Sequence, residues 1–300
     1  MNLRKILSKD GLYWIAYYAI IATHIDRWVP DKVFLKIQYR CICGRPLNLK
    51  TPQTYNEKLQ WLKLYDRKAE YTQMVDKYAV KKYVSDRIGE DFIIPTIGVW
   101  DKPEEIDWNI LPKQFVLKCT HDSGGLVICS DKSKLDKRDA MEGLRCSLRR
   151  DYYRASREWP YKNVPHRIIA EKYLESTPGS HDLHDYKFFC FGGEVKLIEL
   201  DYGRFGHHGR NLYTPEWQRI DAILGVPSLP NMEFARPDGL EKAMDAAKIL
   251  SSGLPHVRVD FFIIDGHVYF GELTFYHASG FNKITPESFE KQMGDWIKLP

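Results

Sequence analysis

The stretch Val257–Tyr276, VRVDFFIIDGHVYFGELTFY, constrains this chain more than any other. Two apolar runs flank Asp265-Gly266, which reads as a β-hairpin. Yet an acid stands near the outer end of each run, Asp260 and Glu272. Burying a carboxylate is costly unless something pairs with it. A three-residue loop, Ile264-Asp265-Gly266 with Gly266 left-handed, pairs Asp260 with Phe270 and Arg258 with Glu272. Side chains alternate with a period of two, so this register puts Arg258, Asp260, Glu272 and Thr274 on one face. Val257, Val259, Phe261 and Ile263 take the other. A two-residue Asp-Gly loop would separate the two acids. On the first register, two acids, a guanidinium and a hydroxyl converge as a candidate site.

The rest of the chain frames that hairpin. At 300 residues it can bury a large core divided into two or three subdomains. Its net charge of +4 is uneven: residues 1–50 carry nine Lys or Arg against three Asp, a net of +6, leaving about −2 elsewhere. A basic end this local excludes nucleic-acid binding across the surface. Six scattered cysteines, and no secretory signal with a cleavage site, point to reduced thiols in the cytoplasm. The lone C-x-C of Cys41 and Cys43 is no zinc site without a second pair. The apolar run Gly11–Ile25 is shorter than a membrane span. It reads first as a buried helix. An interfacial anchor is the alternative, given flanking Arg4, Lys5, Lys9, Arg27 and Lys32, so at most peripheral contact with an inner membrane face is expected.

Residues 1–90 read as a mainly helical region. TYNEKLQWLKLYDR and YTQMVDKYAVKKYVSDRIG carry apolar residues at helical spacing, and Gly89 stops the second. Lys77, Lys81 and Lys82 then lie on one helix, where a solvated face is the default. From Ile93, IIPTIGVW, QFVLKCT, GLVICS and RIIAEKYL read as short strands, with a basic helix over 137–154 between the last two. YKFFCFGGEVKLIELD is a second hairpin, turning at Gly192-Gly193. PDGLEKAMDAAKILSSGL is a helix leading into the first. The pattern is α+β, in two lobes.

Single motifs are ambiguous. QFVLKCTHDSGG places Lys118 near a strand end before Ser123-Gly124-Gly125, where glycines let backbone N–H groups approach a phosphate; a plain turn reads as well. IIAEKYLE ends in Glu171-Lys172-Tyr173-Leu174, which can frame the edge of an adenine or simply run into solvent. HDYKFF puts Asp185 and Lys187 on one strand face, usually a cross-strand ion pair. DYGRFGHHGRNLY gathers Arg204, His207, His208 and Arg210 in a loop, better suited to an anion than to a metal.

Their order is specific. A helix with Asp-Lys, a strand with Val-Leu-Lys and a glycine loop, Glu-Lys-x-Leu, then Arg-Val-Asp and Gly-Glu-Leu-Thr: from about Thr51 to Pro300 the chain resembles the ATP-grasp superfamily, in the TupA-like (teichuronopeptide biosynthesis) branch. The resemblance implies an α+β ATP-grasp fold, two lobes clasping ATP, beside a mainly helical N-terminal region. It divides the chain into residues 1–90, a smaller lobe with the glycine-rich flap over 91–175, and a larger lobe with the Mg/phosphate site over 176–300. It implies that Lys77, Lys118, Ser123, Gly124, Gly125, Glu171, Lys172, Tyr173, Leu174 and Lys187 bind ATP, and that Asp260, Glu272 and Thr274 hold Mg²⁺. Arg258, Lys118 and Lys187 become the catalytic residues, and Arg204, His208 and Arg210 the candidates for the acceptor. Thr274 departs from the family, which has Asn there, and the helical N-terminus replaces the usual α/β acceptor lobe.

The implied chemistry is carboxylate–amine ligation through an acylphosphate, joining an amino acid or other amine to a hexuronic acid of a capsule, O-antigen or teichuronic-type polymer. The rivals are an ATP-dependent sugar kinase, a glycosyltransferase, for which no Asp-x-Asp triplet is present, and a binding module with a degenerate nucleotide site.

Overall fold

The computed structural model describes residues 11–175, 183–203 and 206–300. Its N-terminal part is helical: α1 (Gly11–Ala22), α2 (Asp31–Cys43), α3 (Tyr55–Tyr65), α4 (Glu70–Val75) and α5 (Ala79–Ile88). A capping box starts α3. The Thr54 hydroxyl accepts from the Glu57 N–H, and the Glu57 carboxylate accepts from the Thr54 N–H.

Two helical expectations change. The single helix expected over 71–88 is broken at Asp76-Lys77-Tyr78, because Asp76 Oδ1 accepts from the N–H groups of Tyr78 and Ala79 and so starts α5 anew. The break turns Lys77 inward, its N–H bonded to the Thr120 carbonyl at 3.1 Å. The second change is α1, which forms but is not a buried helix. Only Gly11 of its twelve residues is buried, and Leu12 is 82 % exposed. No helix among the described residues is long and apolar enough to cross a membrane.

A four-stranded antiparallel sheet follows, ordered β1-β4-β2-β3: β1 (Thr96–Trp100), β2 (Phe115–Cys119), β3 (Leu126–Cys129) and β4 (Ile168–Lys172). The expected helix between β3 and β4 divides into α6 (Lys137–Leu148) and α7 (Tyr152–Ser156). Alternation along β2 buries Phe115, Leu117 and Cys119 in a core shared with Leu144 of α6. Val116 and Lys118 are thereby aimed out of the opposite face.

The larger sheet has six strands, ordered β11-β10-β5-β6-β7-β8. They are β5 (Asp185–Phe191), β6 (Glu194–Tyr202), β7 (Gly209–Tyr213), β8 (Arg219–Ile220), β10 (His256–Ile264) and β11 (His267–Thr274). The Gly192-Gly193 turn joins β5 to β6, both glycines at positive φ as a tight two-residue turn requires. One face packs on α8 (Leu240–Ser251) through Ala243, Ala247 and Leu250. Tyr55, Leu59, Val80 and Val84 from the N-terminal helices join the same core, beside Phe188, Val259 and Phe261. A short pair, β9 (Ile223–Leu224) with β12 (Ile284–Thr285), leads into α9 (Glu287–Trp296).

Candidate active site

The β10–β11 hairpin reaches its register by a route other than the one expected. Its loop has two residues, Asp265 and Gly266, both at positive φ, with Ile264 opposite His267. That turn alone would place the acids on opposite faces. A β-bulge at Gly271 inserts one extra residue, and beyond it Asp260 faces Glu272 and Arg258 faces Thr274. The four side chains therefore share a face after all, with the pairing partners exchanged. Gly271 suits the bulge, since a Cβ there would stand 3.1 Å from the Asp260 carbonyl.

Neighbouring strands extend this pair into two charged rows. Glu272, Asp260, Lys187 and Glu199 stand opposite one another on β11, β10, β5 and β6. Asp185, Asp201 and Arg210 form a second row on β5, β6 and β7. The charges interlock. Arg258 grips Asp260 with two hydrogen bonds, 2.7 Å from Nε and 2.6 Å from Nη2, and Nη2 also reaches Glu272 at 3.0 Å. Lys187 Nζ contacts Asp185, Asp201 at 3.3 Å and Asp260 at 3.6 Å. Thr274 Oγ1 donates to Glu272 at 3.1 Å.

Electrostatics follow from burial and from these neighbours. Desolvation pushes the Asp260 carboxyl up to about 6, against the pull of Arg258 and Lys187. Glu272 also loses water, but Arg258, Lys77 and Lys187 hold it below the usual range. Burial raises Glu199 to about 7, only partly offset by Arg210 at 3.1 Å.

The small sheet supplies the facing wall. Glu171 on β4 bridges two lysines, Lys118 at 2.6 Å and Lys81 at 2.5 Å. Their charges pull its carboxyl below the usual range even though burial opposes this. Lys81 is thus not on the solvated face expected of it; it also donates to the Ile94 carbonyl, and only Lys82 is exposed. Lys77 Nζ donates to the carbonyl of Asp122, at the base of the Ser123-Gly124-Gly125 turn. Gly124 needs its positive φ of 110°, whereas Gly125 is a glycine for lack of space: a Cβ would fall 2.3 Å from Ser147 Oγ.

Between the walls lies a cleft of 650 Å³. Of the sequence-derived site residues, Lys77, Lys118, Ser123, Gly124, Gly125, Glu171, Lys172, Tyr173, Leu174 and Lys187 line it, with Arg210, Arg258, Asp260 and Glu272. Ile93, Ile94, Val116, Ile128, Phe262 and Phe270 make part of it apolar. Thr274 contributes through Glu272. His208 stands 3.2 Å from Asp201. Arg204 lies outside the described residues. Arg210 sits on β7 rather than in a loop, and its charge is compensated by Asp201 at 2.8 Å and by Glu199.

Other lining residues were not foreseen: Lys81 read as part of a solvated helix face, and Asp122, Asp201, His277 and Asn282 went unnoticed. His277 accepts from Arg258 Nη1 at 2.8 Å, and burial and that guanidinium keep it neutral. Its signal was slight, a small-residue loop after Thr274.

The acid wall has the chemistry for Mg²⁺. Asp260, Glu272 and Thr274 offer only oxygen donors, as a hard cation requires. No group of three or more His, Cys, Asp or Glu among the described residues could hold a metal alone. Two carboxylates fit a cation whose remaining ligands are phosphate oxygens and water.

Residues 57–298 match the family model described as TupA-like ATPgrasp. Among solved structures, the chain is similar to D-alanine–D-alanine ligase from Helicobacter pylori at 14 % identity, covering 82 % of this chain and 69 % of that one, with a TM-score of 0.44. It is similar to the Bacillus anthracis D-alanine–D-alanine ligase complexed with ATP at 18 % identity, covering 75 % and 63 %, TM-score 0.42. It is also similar to the ADP complex of N5-carboxyaminoimidazole ribonucleotide synthetase at 15 % identity, covering 80 % and 52 %, TM-score 0.43. The chain spans only about half to two-thirds of the length of these proteins. No curated protein matches it. The family assignment therefore rests on the match over residues 57–298. The chain belongs to the TupA-like ATP-grasp family.

Proposed function

We propose that this chain is an ATP-dependent carboxylate–amine ligase that works through an acylphosphate. In our reading it joins an amino acid or other amine to a hexuronic acid of a cell-surface polysaccharide of the capsule, O-antigen or teichuronic type. The observation that carries the reading is the meeting, across one cleft, of the Lys118–Glu171–Lys81 cluster with the Arg258–Asp260–Glu272 cluster. The polysaccharide is our inference from the resemblance to the teichuronopeptide-biosynthesis branch.

The adenine takes the apolar part of the cleft, framed by Glu171, Lys172, Tyr173 and Leu174. The phosphates lie toward Lys77, Lys118 and Lys187, beneath the Ser123–Gly125 flap. An oxygen of the sugar carboxylate attacks the γ-phosphorus, the β–γ bridging oxygen leaves with ADP, and an acylphosphate results. The amine nitrogen then attacks the acyl carbon, the C–O bond to phosphate breaks, and the amine's proton passes to the departing phosphate. The protein orients these groups and offsets their charge, which suits a phosphoryl transfer that needs little covalent help. Mg²⁺, held by Asp260 and Glu272 with Thr274 beside them, supplies charge neutralisation on the phosphates when bound. Arg258 adds a fixed positive charge at the transferring group. Asp201 and Arg210, a compensated pair on the cleft wall, offer acceptor and donor to sugar hydroxyls, with His208 and Arg204 nearby in sequence. An acceptor on a lipid carrier would be met at the inner membrane face.

A hydroxylamine trap tests the reaction. Purified protein with ATP, Mg²⁺, a glucuronic or galacturonic acid derivative and hydroxylamine should yield hydroxamate and ADP, and Asp260→Asn or Glu272→Gln should lower the yield about 10²–10³-fold. A stable phosphorylated sugar without hydroxamate would make the chain a kinase and overturn the reading.

A further inference from the structure

The exposed face of α1 is apolar where a soluble surface should be polar. The helix has no charged residue, and Leu12, Ile15, Ala19 and Ala22, spaced to share one stripe, are all exposed. The chain continues past it with Ile25 and Trp28, which is 80 % exposed. The inner face is already satisfied, since Tyr17 packs at a tilt against Phe34 of α2 and its hydroxyl meets Gln38.

Charge says what covers the outer face. Lys32, Lys36 and Arg40 recur every four residues and so form one stripe along α2, and Arg40 lies over the ring of Tyr13, which ties the stripe to α1. Arg27 is exposed beside them. The acids among the described residues of this segment point away: Asp26 is buried against Arg154, and Asp31 is held by Arg67, Tyr153 and Arg157. An apolar stripe rimmed by the exposed Arg27, Lys32 and Lys36 complements an anionic bilayer. A helix of twelve residues, about 18 Å long, lies along such a surface rather than across it.

We propose that α1, with Ile25, Trp28 and the basic stripe of α2, is a docking surface for anionic membrane. It is independent of the reaction assigned to the cleft and would set the enzyme beside an acceptor carried in the bilayer.

The test is flotation of the full chain with vesicles of phosphatidylglycerol and phosphatidylcholine, and with phosphatidylcholine alone. Binding should favour the anionic vesicles at least about tenfold and weaken in high salt. Leu12→Glu with Ile15→Glu, and separately Lys32→Glu with Lys36→Glu, should each cut binding about tenfold or more, with unchanged thermal unfolding because all four positions are exposed. Binding that both variants retain overturns the proposal, as does no binding to either vesicle. A wild-type dimer that the first variant dissociates, without vesicle binding, identifies a second copy as the occupant instead.

Discussion

Lys63 Nζ donates to the Ser279 carbonyl at 2.7 Å and to the Ser156 carbonyl at 2.8 Å, from a position with no exposed surface. It thereby pins a turn that few sequences tolerate, with Ala278, Ser279 and Gly280 all left-handed. Ala278 and its neighbour His277 line the cleft, His277 beside Arg258. Gln60, one turn earlier on α3, donates to the Ser279 and Gly280 carbonyls as well. A helix outside both sheets thus shapes the cleft through carbonyl contacts.

Lys63→Met should therefore raise the KM for the acceptor about tenfold while the KM for ATP stays within about twofold. It should also cost about 1–3 kcal/mol of stability, since the buried Ser156 carbonyl loses its lysine donor whereas the Ser279 carbonyl keeps Gln60. Steady-state kinetics with each substrate varied, beside urea unfolding, would check both. Equal changes in the two KM values would rule out selective control of the acceptor end.

The Lys118–Glu171–Lys81 cluster leads to a second expectation. Glu171→Gln removes the charge that holds two lysines together. Each charged hydrogen bond contributes about 1.5–3 kcal/mol, so ATP affinity should fall roughly 10- to 100-fold. Calorimetric titration with a non-hydrolysable ATP analogue measures this, and an unchanged Kd would remove Glu171 from the nucleotide site.

How far the sequence foretold this site depends on whether period or geometry decided each residue. Alternation alone aimed Lys118 into the cleft and buried Phe115 and Leu117, because strand period needs no knowledge of the partner strand. The Asp260 face came out as read but through compensating departures, a shorter turn and a bulge at Gly271, whose glycine inside the strand is a local bulge signal the reading passed over. Lys77 and Lys81 were legible as lysines at helical spacing, but not as turned into the cleft, since the break at Asp76 arises from a side chain that also holds Arg167. The apolar α1 invited burial, and only tertiary structure shows that its outer stripe, with Leu12 82 % exposed, is left uncovered by the other described residues. His277 and Asn282 were invisible because a left-handed turn pinned by Lys63 brings them in.

Acid should unfold the protein partly through His256. Its imidazole bridges Tyr55 Oη at 2.9 Å and the Cys190 carbonyl at 2.8 Å, and burial pushes its pKa from 6.5 down to about 3. The folded state thus resists a proton that the unfolded chain accepts, so this contribution is present above pH 6.5 and is lost as pH falls toward 3. At pH 4 the accumulated cost is about 3 kcal/mol. His256→Gln cannot titrate and should lose about that much less stability than wild type between pH 7 and pH 4. Other groups titrate equally in both proteins and cancel. Parallel loss in the two would discount His256.

The flap offers the sharpest steric test. Gly125 donates its N–H toward Asp122 Oδ1 at 3.3 Å, its carbonyl accepts from the Cys119 N–H at 2.7 Å, and Ser147 Oγ donates to the same Asp122 carboxylate. An alanine Cβ would stand 2.3 Å from Ser147 Oγ and 2.8 Å from both Asp122 Oδ1 and Cys119 Cβ. Cys119 belongs to β2 and cannot retreat, so the flap itself must shift or the Asp122–Ser147 contact must break. Lys77 also rests on the Asp122 carbonyl, so the displacement reaches a lysine of the cleft. Gly125→Ala should weaken ATP binding about tenfold or more, equivalent to about 1.4 kcal/mol. Gly143, in α6 with nothing within 4 Å of an added Cβ, provides the matched control, and Gly143→Ala should leave ATP affinity unchanged. Indistinguishable ATP dissociation constants for the two variants would mean that the flap does not touch the nucleotide.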